Sequence, residues 1–168
     1  MSDLTSGADP EYEKAMQVAW RFISYRPRTQ QELSQRLIQK GYKQDTVNQV
    51  ITTLTTQGEI DDFAFARLWV MQRENSKPMG RIRLDRELWQ KGVPPEIIAA
   101  VLQEYDFEKE YQLALAAAEQ RWPRLMTSRD SNPQKALQRL AGWLGRRGFS
   151  NAVIAAVLRE LQRQSLTP

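Results

Sequence analysis

The residues that enzymes use most often for nucleophilic and acid–base chemistry are missing from this chain. Its 168 residues include no cysteine and no histidine. These absences exclude disulfides, thiol nucleophiles, most zinc sites and the commonest general base. The adjacent carboxylates Asp61 and Asp62 could hold a cation, but Asp62 stands where a helix cap is expected, so capping is favoured. We therefore predict a protein that is not an enzyme and has no catalytic residue, metal site or cofactor.

Positive charge is the chemical feature that the chain does carry. The net charge is +4, and residues 121–147 hold seven basic side chains against one acidic side chain. In the segments 80–91 and 133–147, leucines at helical spacing predict a buried face, which turns the basic residues between them outward. We assign Arg81, Arg83, Arg86, Lys135, Arg139 and Arg146 to these basic faces, and we add Arg73 and Lys77, which precede the first segment.

A repeated frame of apolar residues shows which elements must position these charges. It surrounds Gly41, Gly92 and Gly148, with apolar residues eight and four positions before each glycine and one, six, nine, ten and thirteen after it. This spacing predicts two amphipathic helices joined by the glycine, which takes the left-handed conformation just past the first helix. A further apolar stretch precedes each pair. Each repeat is therefore expected to contain three helices.

Capping signals place the predicted helices along the chain. Asp9 before Pro10, Thr29 with Glu32, and Asn132 before Pro133 are typical helix starts. We predict helices near 10–25, 29–40, 45–57, 62–75, 80–91, 94–104, 107–122, 133–147 and 150–164, and no strand.

The fold expected from these helices is all-α. We predict three tandem three-helix repeats at 10–60, 61–106 and 107–164, stacked into an elongated, curved, solenoid-like array that is free of right-angle turns. Residues 1–9 and 165–168 are predicted to be flexible, and residues 126–131 to form a polar loop. Three tryptophans, Trp20, Trp69 and Trp143, lie on or beside apolar faces, which favours core packing over base stacking.

The basic faces are unevenly distributed among the repeats. The first repeat has Glu32 and glutamines at the positions that are basic in the other two, so we assign the basic surface to the second and third repeats. Two stripes in phase favour a polyanion or an acidic protein groove as partner over a merely solvated surface. No charged and apolar leader or membrane-length apolar run is seen, so we expect a cytoplasmic protein.

A group of motifs resembles the signature of the RecX family. The matching residues are Gly58-Glu59-Ile60-Asp61-Asp62, Phe65-Ala66-Arg67, Gly80, Arg83-Leu84, Glu87-Leu88 and Lys91-Gly92. The resemblance extends from about Ala15 to Leu161. It implies three tandem three-helix repeats and a regulatory protein that binds the RecA recombinase filament on single-stranded DNA. It further implies inhibition or modulation of ATP hydrolysis, strand exchange and co-protease activity. We expect a monomer whose own binding to naked DNA is weak and sensitive to salt.

A second hypothesis comes from another functional class. A helix, a short turn with glycine and a second helix are also the parts of a helix-turn-helix protein that binds duplex DNA. The helices after the turns argue against it, because residues 96–104 and 152–161 are mainly aliphatic and carry Glu96, Glu104 and Glu160. Such surfaces are poorly suited to base edges or phosphates.

Overall fold

The computed structural model describes residues 9–127 and 132–165. Within these ranges the structure is entirely helical and contains no strand, as predicted. In chain order the helices are α1 (Pro10–Ile23), α2 (Gln30–Gln39), α3 (Gln44–Thr56), α4 (Asp62–Ser76), α5 (Arg81–Gln90), α6 (Pro95–Gln103), α7 (Phe107–Met126), α8 (Pro133–Arg146) and α9 (Asn151–Ser165). Of the segments predicted to be flexible at 1–9 and 165–168 and the loop predicted at 126–131, residues 1–8, 166–168 and 128–131 lie outside the described residues.

The three repeated glycines form the turns that their spacing predicts. Gly41, Gly92 and Gly148 have φ values of 89°, 78° and 81°, in the left-handed region where a Cβ is unfavourable. At each turn the amide after the glycine donates back to the carbonyl of the leucine four residues before it, as in a Schellman motif. The second and third helices of every repeat are therefore joined by the same local geometry.

Each group of three helices closes around its own apolar core. The leucines four and eight positions before each turn glycine are fully buried, because they face the other two helices of the same unit. The cores centre on Leu33, Leu37, Val47, Val50 and Leu54, then on Leu84, Leu88, Ile98, Leu102 and Tyr105, and then on Leu140, Leu144, Val153, Val157 and Leu161. The result is a succession of small cores in chain order.

The junction between the first two units is made largely by side chains. The Thr29 hydroxyl donates to the Lys91 carbonyl oxygen at 2.6 Å, and the Gln30 amide donates to Asp62 Oδ1 at 2.9 Å. The Lys91 ammonium lies 3.3 Å from Glu32 Oε1. The start of α2 is thus capped by residues of the following unit.

The junction between the second and third units brings backbone against backbone. The Gly80 amide donates to the Arg147 carbonyl at 2.9 Å, and the Ile82 amide donates to the Gly148 carbonyl at 3.1 Å. A Cβ on Gly80 would lie 2.2 Å from the backbone of Gly148. The Arg81 amide donates to the buried Glu110 carboxylate at 3.0 Å. Only glycine at position 80 allows this approach.

Two local predictions are wrong. The N-cap of α4 is Asp61, whose Oδ1 accepts from the amides of Phe63 and Ala64, whereas Asp62 turns inward and caps α2. Helix α7 continues through Pro123 to Met126, beyond the predicted end at 122. Trp122 and Leu125 pack on the third core, so burial sustains the last turn of α7 despite the proline.

The tryptophan prediction holds in part. Trp69 packs against the second core and Trp143 against the third. Trp20 is 40% exposed, because the buried stripe of α1 runs through Ala15 and Ala19 and the next position points away from it. Core packing is therefore the wrong interpretation for Trp20.

Candidate binding clefts between the second and third repeats

The structure brings basic residues of two units into one cleft of about 330 Å³. We call it the α5–α8 cleft; its basic lining consists of Arg83 and Arg86 from α5 and Arg146 from α8. Burial of Leu84 and Leu88 turns Arg83 and Arg86 outward, as the leucine spacing predicts. The close backbone contact at Gly80 then places the start of α5 against the end of α8. Charges 63 residues apart in sequence therefore meet.

The wall of this cleft contains a small ionic network. Glu87 accepts hydrogen bonds from Arg73 Nε at 2.9 Å, Arg83 Nε at 3.1 Å and Trp69 Nε1 at 3.1 Å. Burial would raise the pKa of Glu87, but the bonds from Arg83, Arg73 and Trp69 outweigh burial and lower the pKa. Glu87 is thus a carboxylate that compensates Arg73 and much of Arg83.

The remaining charge in the cleft belongs to Arg86 and Arg146. Both side chains are exposed, and no described carboxylate lies within ion-pair distance of either guanidinium. Arg83 also donates to the Arg146 carbonyl at 3.2 Å, which holds the two elements together. The α5–α8 cleft can therefore offer two uncompensated guanidinium groups to an anionic partner.

Lys135 and Arg139 extend this charge along α8 and do not line the cleft. They share a helical face with Arg146, since their separations of eleven and seven residues are close to whole turns. At 1.5 Å per residue they lie about 16 and 10 Å from Arg146 along the axis. Both are exposed. The predicted stripe on α8 is present and ends at the cleft.

Two residues assigned to the basic faces have structural contacts instead. Arg73 is half-buried, stacks at 4.5 Å over Trp69 and pairs with Glu87. Arg81 Nη1 donates to the carbonyl of Leu102 at 2.6 Å, at the end of α6. The sequence analysis assigned both residues to the basic faces. It could not show that neighbouring elements would bind their guanidinium groups.

A second cleft at the same junction contains Lys77, which the sequence analysis assigned to the basic faces, and three arginines that it did not select. We call it the Trp143 cleft; it has a volume of about 520 Å³, and its basic lining consists of Lys77, Arg121, Arg124 and Arg147. The guanidinium groups of Arg121 and Arg147 lie 4.8 and 4.4 Å from the centre of the Trp143 ring. The excess of positive charge over residues 121–147 could have indicated this cleft. Within that range, however, the sequence analysis selected only outward residues of the helix that became α8.

Arg147 is the most constrained cation of the Trp143 cleft. Its Nη1 donates to the Pro78 carbonyl at 3.0 Å. Burial lowers the pKa of Arg147, and the positive charges of Arg121 and Arg83 lower it further. Like charges held this close favour binding of an anion between them.

The geometry gives little support to recognition of duplex DNA by the helices after the first two glycine turns. Neither α3 nor α6 contains a lysine or arginine. Helix α6 buries Ile98, Val101 and Leu102 and starts with a proline and Glu96. These helices cannot neutralise phosphates in a groove.

The described parts of the chain lack the features of a metal site and of a membrane-spanning helix. Residues 9–127 and 132–165 contain no group of three or more potential metal ligands. In the same ranges no helix combines the length and apolarity needed to cross a bilayer. Asp61 and Asp62, the pair considered for a cation, are each used to cap a helix.

The fold and its clefts define a class of protein: a helical repeat scaffold that presents cationic surfaces. Models of the first, second and third three-helix domains of RecX match residues 15–54, 61–102 and 108–158. The chain belongs to the RecX family.

Similar proteins cover nearly the same length of chain. The regulatory protein RecX of Amycolatopsis mediterranei is 33% identical over 93% of this chain and 87% of its own. That of Pelodictyon phaeoclathratiforme is 33% identical over 88% of each chain. The crystal structure of RecX from Lactobacillus salivarius superposes with a TM-score of 0.82 at 22% identity, covering 90% of this chain and 97% of the other. That structural likeness supports the fold.

Proposed function

We propose that this chain binds the filament that the bacterial recombinase RecA forms on single-stranded DNA. Bound there, it inhibits or modulates ATP hydrolysis, strand exchange and co-protease activity. Family membership supports a regulatory role, since the matched relatives are named regulatory protein RecX. The protein acts by binding, as a cytoplasmic monomer without cofactor, and its units are taken as residues 10–60, 61–106 and 107–164.

The observation that carries the proposal is the uncompensated charge of the α5–α8 cleft. Arg86 and Arg146 face solvent from two different units, and the α8 stripe continues from Arg146 through Arg139 to Lys135. A row of cations on a succession of units suits a long acidic or phosphate-lined groove better than a small ligand. A nucleoprotein filament offers such a groove.

ATP hydrolysis by RecA on single-stranded DNA tests the proposal. The wild-type protein should slow hydrolysis at near-stoichiometric or lower ratios. Replacing Arg86 and Arg146 by alanine together should weaken this inhibition markedly, and replacing Lys135 and Arg139 should add to the loss. The salt dependence of filament binding should also flatten, because contacts that release counterions are removed.

A matched control separates charge at the cleft from charge in general. Arg159 is an exposed cation on α9 outside both clefts, so Arg159→Ala should leave inhibition unchanged. All variants should keep wild-type melting, because exposed substitutions usually change stability by no more than about 0.5 kcal/mol. Full inhibition by the Arg86/Arg146 variant would show that the interface lies on another surface of the protein. Unchanged hydrolysis with tight, sequence-selective duplex binding would support the helix-turn-helix alternative.

A further inference from the structure

A cluster of cations and aromatic rings lies on the first unit, where the sequence analysis expected no basic surface. We call it the Tyr25 cleft; its volume is about 390 Å³. Helix α1 contributes Arg21 and Phe22, helix α2 contributes Arg36 and its C-cap residue Lys40, and the connection between the helices contributes Tyr25 and Arg28. Val18 completes the lining.

This cleft differs from the other two in the absence of negative charge. The α5–α8 cleft contains Glu87 and the Trp143 cleft contains Glu74, whereas the lining of the Tyr25 cleft includes four cations and no carboxylate. Arg28 lies in the connection, and its buried Nε has no hydrogen-bond partner among the described residues. A concentration of like charge with an unsatisfied donor is unfavourable unless an anion binds.

The electrostatic environment of Arg28 leads to the same conclusion. Burial lowers its pKa, and the charges of Arg26 and Arg36 lower it further, against the opposing effect of Glu32. Glu32 itself is paired with Arg26 at 3.0 Å and with Lys91 at 3.3 Å. The nearest carboxylate is thus already shared by two other cations.

The aromatic residues of the cleft have different roles. The Phe22 ring is covered by the Arg28 guanidinium at 3.9 Å, with Arg36 at 5.7 Å, so it supports the cations. Tyr25 is 89% exposed, the largest value among the exposed large hydrophobic residues. A tyrosine ring left in water beside several cations has a face available for stacking.

We propose that the Tyr25 cleft is a binding site for single-stranded nucleic acid. An unpaired base stacks on the Tyr25 ring, and the adjoining phosphates contact Arg21, Arg36 and Lys40. Exposed aromatics beside a basic groove are the usual means of holding single strands without sequence preference. In a duplex the bases are stacked on one another, so Tyr25 would have no face to meet. An acidic peptide would match the charges but would leave the ring unused.

A binding titration with the full-length protein and no recombinase tests this inference independently of the proposed function. A fluorescein-labelled oligothymidylate is the probe, and anisotropy is the readout. Tyr25→Ala should weaken binding by roughly 5- to 150-fold, the range expected for loss of one stacked base. Tyr25→Phe should bind like wild type, because the ring face is kept. Melting temperatures should be unchanged, since the side chain is exposed.

An abasic oligonucleotide of the same length isolates the stacking contribution. It keeps the phosphates and removes the bases, so it should bind wild type more weakly and should be insensitive to Tyr25→Ala. Each phosphate contact contributes about 0.7 to the magnitude of the slope of log affinity against log salt for a single strand. The double variant Arg36→Ala/Lys40→Ala removes two such contacts, so it should lower the magnitude of the slope by about 1.4. Arg159→Ala, on α9, is the matched control and should change neither quantity.

Three results would overturn the inference. The first is equal loss of oligothymidylate and abasic binding in Tyr25→Ala, which would show that no base is stacked. The second is duplex DNA competing as well as the single strand. The third is that polyglutamate displaces oligothymidylate and that Tyr25→Ala weakens the binding of both ligands equally. This result would identify the cleft as a site for an acidic peptide.

Discussion

The two junctions between units use equivalent positions to opposite effect. Glu32 and Arg83 both stand nine residues before a turn glycine, and Lys91 and Arg147 both stand immediately before the next one. At the first junction Glu32 attracts Lys91 at 3.3 Å. At the second junction the equivalent residues are both cations, and Arg83 lowers the pKa of Arg147. One junction compensates its charges internally, whereas the other leaves positive charge for a partner.

The junctions also differ in how closely the chains approach. Thr29 bridges the first junction through its hydroxyl, whereas Gly80, at the equivalent position, lets two backbones meet. Side-chain bridges can adjust by changing rotamer, but packed backbones cannot. The comparison shows that one repeat geometry supports a tolerant junction and a rigid one. The rigid junction carries the two clefts between the second and third units.

The largest effect expected from this comparison is at Gly80. Gly80→Ala should cost about 3 kcal/mol of unfolding free energy, because its Cβ would lie 2.2 Å from backbone atoms that cannot move aside. Thr29→Ala, the matched change at the first junction, should cost about 1 kcal/mol, from loss of a cap. Urea unfolding measures both. Equal costs would show that the second junction is no more rigid than the first.

The turn glycines should give the next largest effect. Gly92→Val should cost roughly 1–3 kcal/mol, because φ is +78° and the new Cβ would collide with the Gln31 side chain. Gly41→Val has the same backbone strain with open space around the Cβ, so its cost should lie at the low end of that range. Thermal melting compares them. If Gly92→Val were more stable than Gly41→Val, the collision with Gln31 would be ruled out as a source of destabilisation.

A smaller, pH-dependent effect is expected at Asp62. Burial raises the pKa of this carboxyl, with the charges of Asp61 and Glu32 adding to the increase and the Gln30 amide opposing it. A raised pKa means that the folded state binds the proton more tightly, so the ionised carboxylate reduces stability as pH rises through the window above its ordinary value near 3.8.

Asp62→Asn keeps an acceptor for the Gln30 amide and removes the buried charge. It should be as stable as wild type or more stable at pH 7, and any gain should vanish toward pH 4 and below. Asp62→Ala is the control: it removes the same charge and also the cap, so it should be about 1 kcal/mol less stable than Asp62→Asn at both pH values. Unfolding curves at pH 7 and pH 4 measure the difference. If the stability of Asp62→Asn relative to wild type increased as the pH fell, the prediction would be contradicted.

The smallest effect concerns the exposed part of the first junction. Lys91→Met should change stability by less than about 1 kcal/mol, because Lys91 and Glu32 are partly exposed and salt screens them. The difference from wild type should shrink further at high salt. Chemical unfolding at low and high ionic strength compares the two proteins. A large effect that is independent of salt would show that the Lys91 contact is buried.

Prediction from sequence succeeded for local patterns and failed for contacts between residues that are far apart along the chain. The leucines around Gly41, Gly92 and Gly148 predicted buried faces and left-handed turns, because both depend on residues a few positions apart. Asp62 was taken for the cap of its own helix, and its actual role is to cap α2, 32 residues earlier. Arg81 was assigned to a binding surface, yet its guanidinium holds the end of α6. Contacts between residues so far apart along the chain cannot be predicted from helical periodicity.

By itself the sequence determined the all-helical fold, the three-fold repetition, the buried leucines and the lack of histidine and cysteine chemistry. Composition determines the last of these features and spacing determines the others, since the helix imposes one period on every amphipathic segment. Only the tertiary structure decided which cations have partners. Arg73 and Arg83 meet Glu87, Arg86 and Arg146 meet no carboxylate among the described residues, and Tyr25 lies beside arginines of two helices. Such pairings depend on distances in space between side chains far apart along the chain.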